Sequence, residues 1–216
     1  MFKLNPSITI ELICFIVALF TIRKDNSPLW RSAFFFMIMV CFTEIFAAKW
    51  AARTYHNNLF VYNIYTFFEG SFISFGVYQC LKKYTNPKKI ISLGLVVFYV
   101  TYGIFLVRNG IMVYNSWAGG VLSAIMMLYC CYYYYLILTH EEILDINTSP
   151  DFWWITAVLF FYFGSTTGSL FHELFTSITI WGNSLRNQLF SLLNIIFYSL
   201  LAYSFICRSR QRKLQS

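Results

Sequence analysis

The chain has 216 residues, 58% of them apolar and 21% aromatic, with only 12% charged and a mean hydropathy of +0.59. A soluble domain carries about twice that charged fraction, so the composition excludes one and indicates a polytopic membrane protein. The formal net charge of +7 invites nucleic acid as a partner, but the basic residues sit in short loops and at the C-terminus, where they orient membrane helices instead.

The first apolar stretch, residues 8–22, contains Glu11; no small-residue cleavage site follows it, so it reads as a retained helix. The loop RKDNSPLWR supplies Arg23, Lys24 and Arg31. The second stretch, 32–50, holds Glu44 and ends on Lys49, with Arg53 and His56 in the next connection as helix-end anchors. The third, 58–81, carries Glu69 near its midpoint. A helix needs about 20 residues to cross a bilayer, and a carboxylate at its centre costs roughly 3 kcal/mol. Such a group is retained where the interior of a bundle uses it, so the chain is organised around this stretch. KKYTNPKK follows, then a fourth stretch at 90–107 with Asn109-Gly110 as a turn signal. A fifth covers 116–138. The sixth, 151–174, opens on Ser149-Pro150-Asp151, a capping serine, a first-turn proline and an acid favoured by the helix dipole. The seventh, 186–207, precedes the basic run RSRQRK.

All four prolines fall outside these stretches. Eleven of the 16 Lys and Arg residues lie in the first, third and fifth loops and the C-terminal run, which makes that side cytoplasmic. The predicted fold is therefore all-α, a polytopic transmembrane bundle of seven helices over residues 1–207, N-terminus outside, with a basic cytoplasmic tail at 208–216. The fifth loop, acidic through Glu141, Glu142, Asp145 and Asp151, reads as a solvated linker or a surface for a basic partner. The six cysteines read as small apolar residues.

In this topology the costly groups share one half of the bundle. Glu69 is central; Glu44, Glu11 and Asn194 lie a few residues outward of centre; His172, Glu173 and Arg186 lie near the outer end. Helical spacing adds three polar stripes: Tyr62, Thr66 and Glu69; Asn187, Ser191, Asn194 and Tyr198; Tyr162, Ser165, Ser169 and His172. Lipid offers no hydrogen-bond partners, so these stripes should face inward. Gly164-xxx-Gly168 and Gly119-Gly120 read as close helix contacts, and Tyr129 with Tyr132 to Tyr135 as an aromatic belt at the cytoplasmic interface.

The chemistry of these residues narrows the choices. Two ligands on one helical face in a spacing such as HxxxH or ExxH are absent, so no metal is expected. No G-x-S-x-G is present, and the seventh stretch has no lysine for a retinal Schiff base. No catalytic residue and no cofactor are expected. The run NNLFVYNIYTFFEGSFISFGVY at 57–78, with SPDFWWITAVLFFYFG and LLNIIFYSLLAYSF later, resembles a family of small seven-helix membrane proteins of Bacteroidota. The resemblance implies an inner-membrane protein that partners signalling proteins, and it carries no catalytic residues. Gly70 stands where that family leads one to expect a large apolar residue.

The sequence thus favours a non-enzymatic sensor or accessory module, embedded in the lipid bilayer and docking a membrane signalling protein at its cytoplasmic loops. Its ligand pocket would comprise Glu69, Glu44, Glu11, Asn194, His172, Glu173 and Arg186, with Tyr62 and Asn63 as hydrogen-bond partners. The alternatives are a proton-coupled transporter and an intramembrane acid/base enzyme acting on a lipid.

Overall fold

The structure, a computed structural model, describes residues 6–139, 145–180 and 182–215. Among these residues it is helical, apart from a small antiparallel pairing of Thr179–Ile180 with Asn183–Ser184. The helices are α1 (Pro6–Thr21), α2 (Pro28–Phe42), α3 (Ala48–Tyr55), α4 (Leu59–Leu81), α5 (Lys88–Asn109), α6 (Ser116–Thr139), α7 (Pro150–Leu170), α8 (His172–Ser177) and α9 (Leu185–Gln215). A π-helical turn, Thr43–Ala47, joins α2 to α3. The expected serine cap opens α7, Phe152 N–H donating to Ser149 Oγ at 3.4 Å with Pro150 in the first turn. Glu141 and Glu142 of the acidic loop lie outside the described residues.

Contacts between helix ends define two ends of the molecule. At one, Ser7 Oγ of α1 pairs with Ser191 Oγ of α9 at 3.1 Å, and Asn57 Nδ2 donates to the Met112 carbonyl at 3.0 Å. We call this the cavity end. At the other, Arg208 binds Asp25, Lys83 pairs with Asp151, and Ser204 Oγ donates to the Pro150 carbonyl at 2.7 Å. This is the basic end. The helix α9 continues through the basic run to Gln215, and Arg208 and Arg212 both reach Asp25.

Four helical segments are long and apolar enough to cross a membrane: Pro28–Tyr55 through the π turn, α5, α6 and α9. The helix α1 is apolar but shorter, at 16 residues. With 23 and 21 residues, α4 and α7 have the length but interleave polar side chains such as Asn63, Glu69, Ser165 and Ser169.

The helix α4 packs against α2, α5, α6 and α7. Gly70 makes that approach possible, since a Cβ there would stand 2.7 Å from Phe98 Cε1 of α5 and 3.4 Å from Leu122 Cδ2 of α6. A large residue does not fit. Gly164 and Gly168 admit Leu193, Leu189 and Phe190 of α9, as close helix contacts. Toward the basic end the interior is aromatic. Trp154 stands edge-on to Trp30 at 6.1 Å and to Phe72 at 5.5 Å; Phe72 stacks on Phe36 at 4.1 Å, and Phe205 closes against Trp30. The tyrosine run does not form a uniform surface belt: Tyr133 is fully buried and Tyr129 nearly so, its hydroxyl donating to the Ile90 carbonyl, while Tyr135 is exposed. Five of the six cysteines are buried, Cys131 excepted.

Candidate functional site

A cavity of about 1430 Å³ opens between α1, the π turn, α4, α6, α7 and α9. Its wall begins with α1. Ser7 and Glu11 are four residues apart, hence on one helical face, and both line the cavity. Glu11 is only 4% exposed, and its Oε2 has no hydrogen-bond partner among the described residues. Glu44 enters from the π turn. The extra residue in that turn rotates the following positions by about 100° relative to a continuous α-helix, and such turns are frequent at functional sites. Tyr62 of α4 donates to Glu44 Oε2 at 3.3 Å, and Glu11 and Glu44 lie within electrostatic range of each other.

The wall is completed by α7 and α9. Ser165 and Ser169 face the cavity from α7; Arg186, Asn187, Ser191 and Asn194 face it from α9. Arg186 lies 5.1 Å over the Phe190 ring, and its Nε has no hydrogen-bond partner among the described residues. From the Ser7–Ser191 pair, Arg186 is five residues outward and Glu11 four residues inward. At 1.5 Å per residue the two backbone positions are separated by roughly 13 Å along the axis. The cavity therefore has a guanidinium at its mouth and two carboxyl groups in its interior.

Glu69 does not line this space. It sits beneath, among four tyrosines within electrostatic range, Tyr65, Tyr114, Tyr162 and Tyr198. Glu11 shares Tyr65 and Tyr198 with it, and these two hydroxyls are hydrogen-bonded to each other. Glu11 thus lies within electrostatic range of Glu44 on one side and of two tyrosines near Glu69 on the other.

No protein-family model, curated protein or solved structure matches this chain. What the site can do follows from its own geometry.

Of the residues singled out from the sequence, Glu11, Glu44, Tyr62, Asn194 and Arg186 meet at the cavity, and Glu69 adjoins it. The side chains of His172 and Glu173 lie outside the described residues. Asn63 is fully buried, does not line the cavity and is bonded instead to a loop. Its Nδ2 donates to the Ile111 and Val113 carbonyls at 2.7 and 2.8 Å, and its Oδ1 accepts from Asn115 N–H at 3.0 Å. It holds the α5–α6 connection. His56 has a backbone role as well, closing α3 in the left-handed conformation at φ 55°. Gly119 and Gly120 line the cavity instead of packing against a helix; a Cβ at Gly120 would meet nothing within 4 Å. Ser7, Tyr114, Ser116 and this glycine pair are among the lining residues that the sequence did not assign to the pocket. Only Ser7 had a signal, its four-residue spacing from Glu11. Among the described residues no group of three His, Cys, Asp or Glu side chains is arranged to hold a metal ion.

Proposed function

We propose that this chain is an integral protein of the bacterial inner membrane that crosses it seven times, cavity end outside and basic end cytoplasmic, and acts as a non-enzymatic sensor or accessory module. Support for the three extra crossings comes from α1, α4 and α7, which run between the same two ends as the four more apolar segments. The polar side chains that lower their hydropathy belong in part to the cavity. The ligand is small and polar, with hydrogen-bond donors or a cationic amine for Glu11 and Glu44 and an anionic group for Arg186. A signalling partner docks at the cytoplasmic loops.

The observation that carries this reading is the unpartnered Oε2 of Glu11 in the cavity wall. A buried carboxylate oxygen without a donor costs about 1–3 kcal/mol, more when charged, and such a group belongs where a ligand supplies the donor. Sensing is favoured over transport by the aromatic layer of Trp30, Trp154, Phe36, Phe72 and Phe205, which closes the interior below the cavity. The helices α1 and α9, joined at both ends, are the route by which occupancy reaches the basic end.

The reading is tested by a thermal-shift screen of the full chain in nanodiscs with amino acids, amino alcohols and polyamines. The wild type should be stabilised by a subset of zwitterionic amines, and Glu11→Gln and Glu44→Gln should lose that response while inserting normally. An unchanged response in Glu11→Gln, or proton-coupled uptake of the same compounds into liposomes, would overturn it.

A further inference from the structure

A second hollow, about 410 Å³, lies at the basic end between the α1–α2 connection and the first turns of α2, against Arg23, Lys24, Arg31, Phe34 and Phe35. Among the described residues its charge is uncompensated. Asp25 also borders it, but that carboxylate is bound by Arg208 at 2.8 Å and approached by Arg212 at 3.8 Å. Arg23, Lys24 and Arg31 are exposed and form no ion pair among the described residues. Three cations therefore surround a concave space, and among the described residues no anion is left to answer them.

The hollow also has a vertical order. Arg31, Phe34 and Phe35 are three and four residues apart, which puts the two rings one turn along the same face of α2 from the guanidinium. Phe35 is 57% exposed and stands 5.9 Å from Phe34. The cationic rim lies where the apolar stretch of α2 begins, the level at which phosphates stand in a bilayer. The rings lie one turn into the apolar stretch, at the level of acyl chains. A soluble anion would use the rim alone; the rings match only a ligand with a hydrocarbon part.

We propose that this hollow is a binding site for an anionic glycerophospholipid, its phosphate held by Arg23, Lys24 and Arg31 and its acyl chain lying on Phe34 and Phe35. Guanidinium groups suit a phosphodiester because two parallel N–H donors match two phosphate oxygens. The volume falls within the range of ligand sites, and basic pockets on the cytoplasmic side of helical membrane proteins take anionic headgroups. The inference rests on the membrane-spanning reading but not on the cavity or its ligand.

The experiment uses the full chain in nanodiscs of phosphatidylcholine doped with phosphatidylglycerol, with retained lipid read by native mass spectrometry after release into detergent. The wild type should retain phosphatidylglycerol over phosphatidylcholine by about tenfold or more, the effect expected of several cations at an anionic headgroup. The triple variant Arg23→Gln, Lys24→Gln, Arg31→Gln should lose that preference, and Phe35→Ala should weaken it. A control triple, Lys82→Gln, Lys88→Gln, Lys89→Gln, removes equal charge from the same end and should keep it. Equal loss in the control would reduce the site to general surface charge. Displacement of the lipid by millimolar inorganic phosphate would reassign the rim to a free anion. Release of the protein from membranes by alkaline carbonate would instead defeat the membrane reading, and is scored separately.

Discussion

Asp25 and Arg208, near opposite ends of the sequence, are joined by two hydrogen bonds: Nε donates to Oδ2 at 2.8 Å and Nη2 to Oδ1 at 3.2 Å. Ser27 N–H adds a third donor to Oδ1 at 2.8 Å. The connection after α1 is thereby fastened to α9, whose cavity-end turns already meet α1 through Ser7 and Ser191.

Asp25→Asn keeps the shape and removes the charge. The carboxylate is almost fully buried while Arg208 keeps 20% of its side chain in contact with solvent, so the loss falls below the 3–5 kcal/mol of a wholly buried pair. We expect about 1–3 kcal/mol, read as a lower melting temperature in detergent. Arg208→Gln should cost a similar amount, and the double variant should cost less than the two losses added together. Simple additivity would mean that the two side chains are not coupled.

The same pair sets an acid limit. Burial pushes the Asp25 carboxyl up, but the Arg208 hydrogen bonds, the Ser27 N–H and the nearby guanidinium charges outweigh it and hold the group below its ordinary value of 3.8. A carboxyl depressed on folding contributes stability that is present above that ordinary value and is lost as pH falls through the folded one. Melting temperature measured from pH 6 down to pH 2 should drop more steeply below about pH 4 in the wild type than in Asp25→Asn. Parallel curves would refute the linkage.

Glu11→Gln should do the opposite to stability. Oε2 is buried with no donor among the described residues, so exchanging the carboxyl for an amide of the same size breaks no hydrogen bond at that atom and removes the cost of burying an ionisable group. We expect the melting temperature to stay level or rise by a few degrees, equivalent to about 1 kcal/mol, as is common where a site is strained for function. A marked fall would identify Glu11 as a structural carboxylate.

Asn63 offers the contrast of a buried polar side chain whose bonding is fully met. Asn63→Ala deletes two donated bonds and one accepted bond, leaving the Ile111 and Val113 carbonyls and the Asn115 N–H to find water. A loss of about 2–4 kcal/mol is expected, with faster amide exchange concentrated at residues 111–115. Uniform exchange across α4, α5 and α6 would contradict the local role.

Much of this architecture is legible in the sequence because the signals are collective. Runs of about 20 apolar residues, prolines outside them and one serine-proline start give the helices, and polar side chains recurring at three- and four-residue spacing give the stripes on α4, α7 and α9. What stays hidden depends on single contacts between distant residues. Asp25 reads as one acid in a basic loop until Arg208 and Arg212 are brought to it. Asn63 and Glu69 look alike as polar residues of one stretch, yet one is bonded to a loop and the other lies within electrostatic range of four tyrosines. Nothing in TEIFA announces the π turn at Glu44.

Gly70 and Gly120 separate packing from space most directly. At Gly70 an added methyl would stand 2.7 Å from Phe98 Cε1 and 2.8 Å from Cζ, so α4 and α5 must part or the ring must leave its rotamer. Such overpacking typically costs about 1–3 kcal/mol. At Gly120 the methyl would meet no atom within 4 Å and would project into the cavity. Gly120→Ala should therefore leave the melting temperature unchanged or raise it slightly, alanine being the better helix former by about 1 kcal/mol. It should at the same time weaken the ligand response, and Gly120→Leu should weaken it further, while Gly70→Ala lowers stability and leaves the response of the folded fraction intact. If Gly120→Leu binds as the wild type does, the glycine pair is no part of the ligand's surroundings.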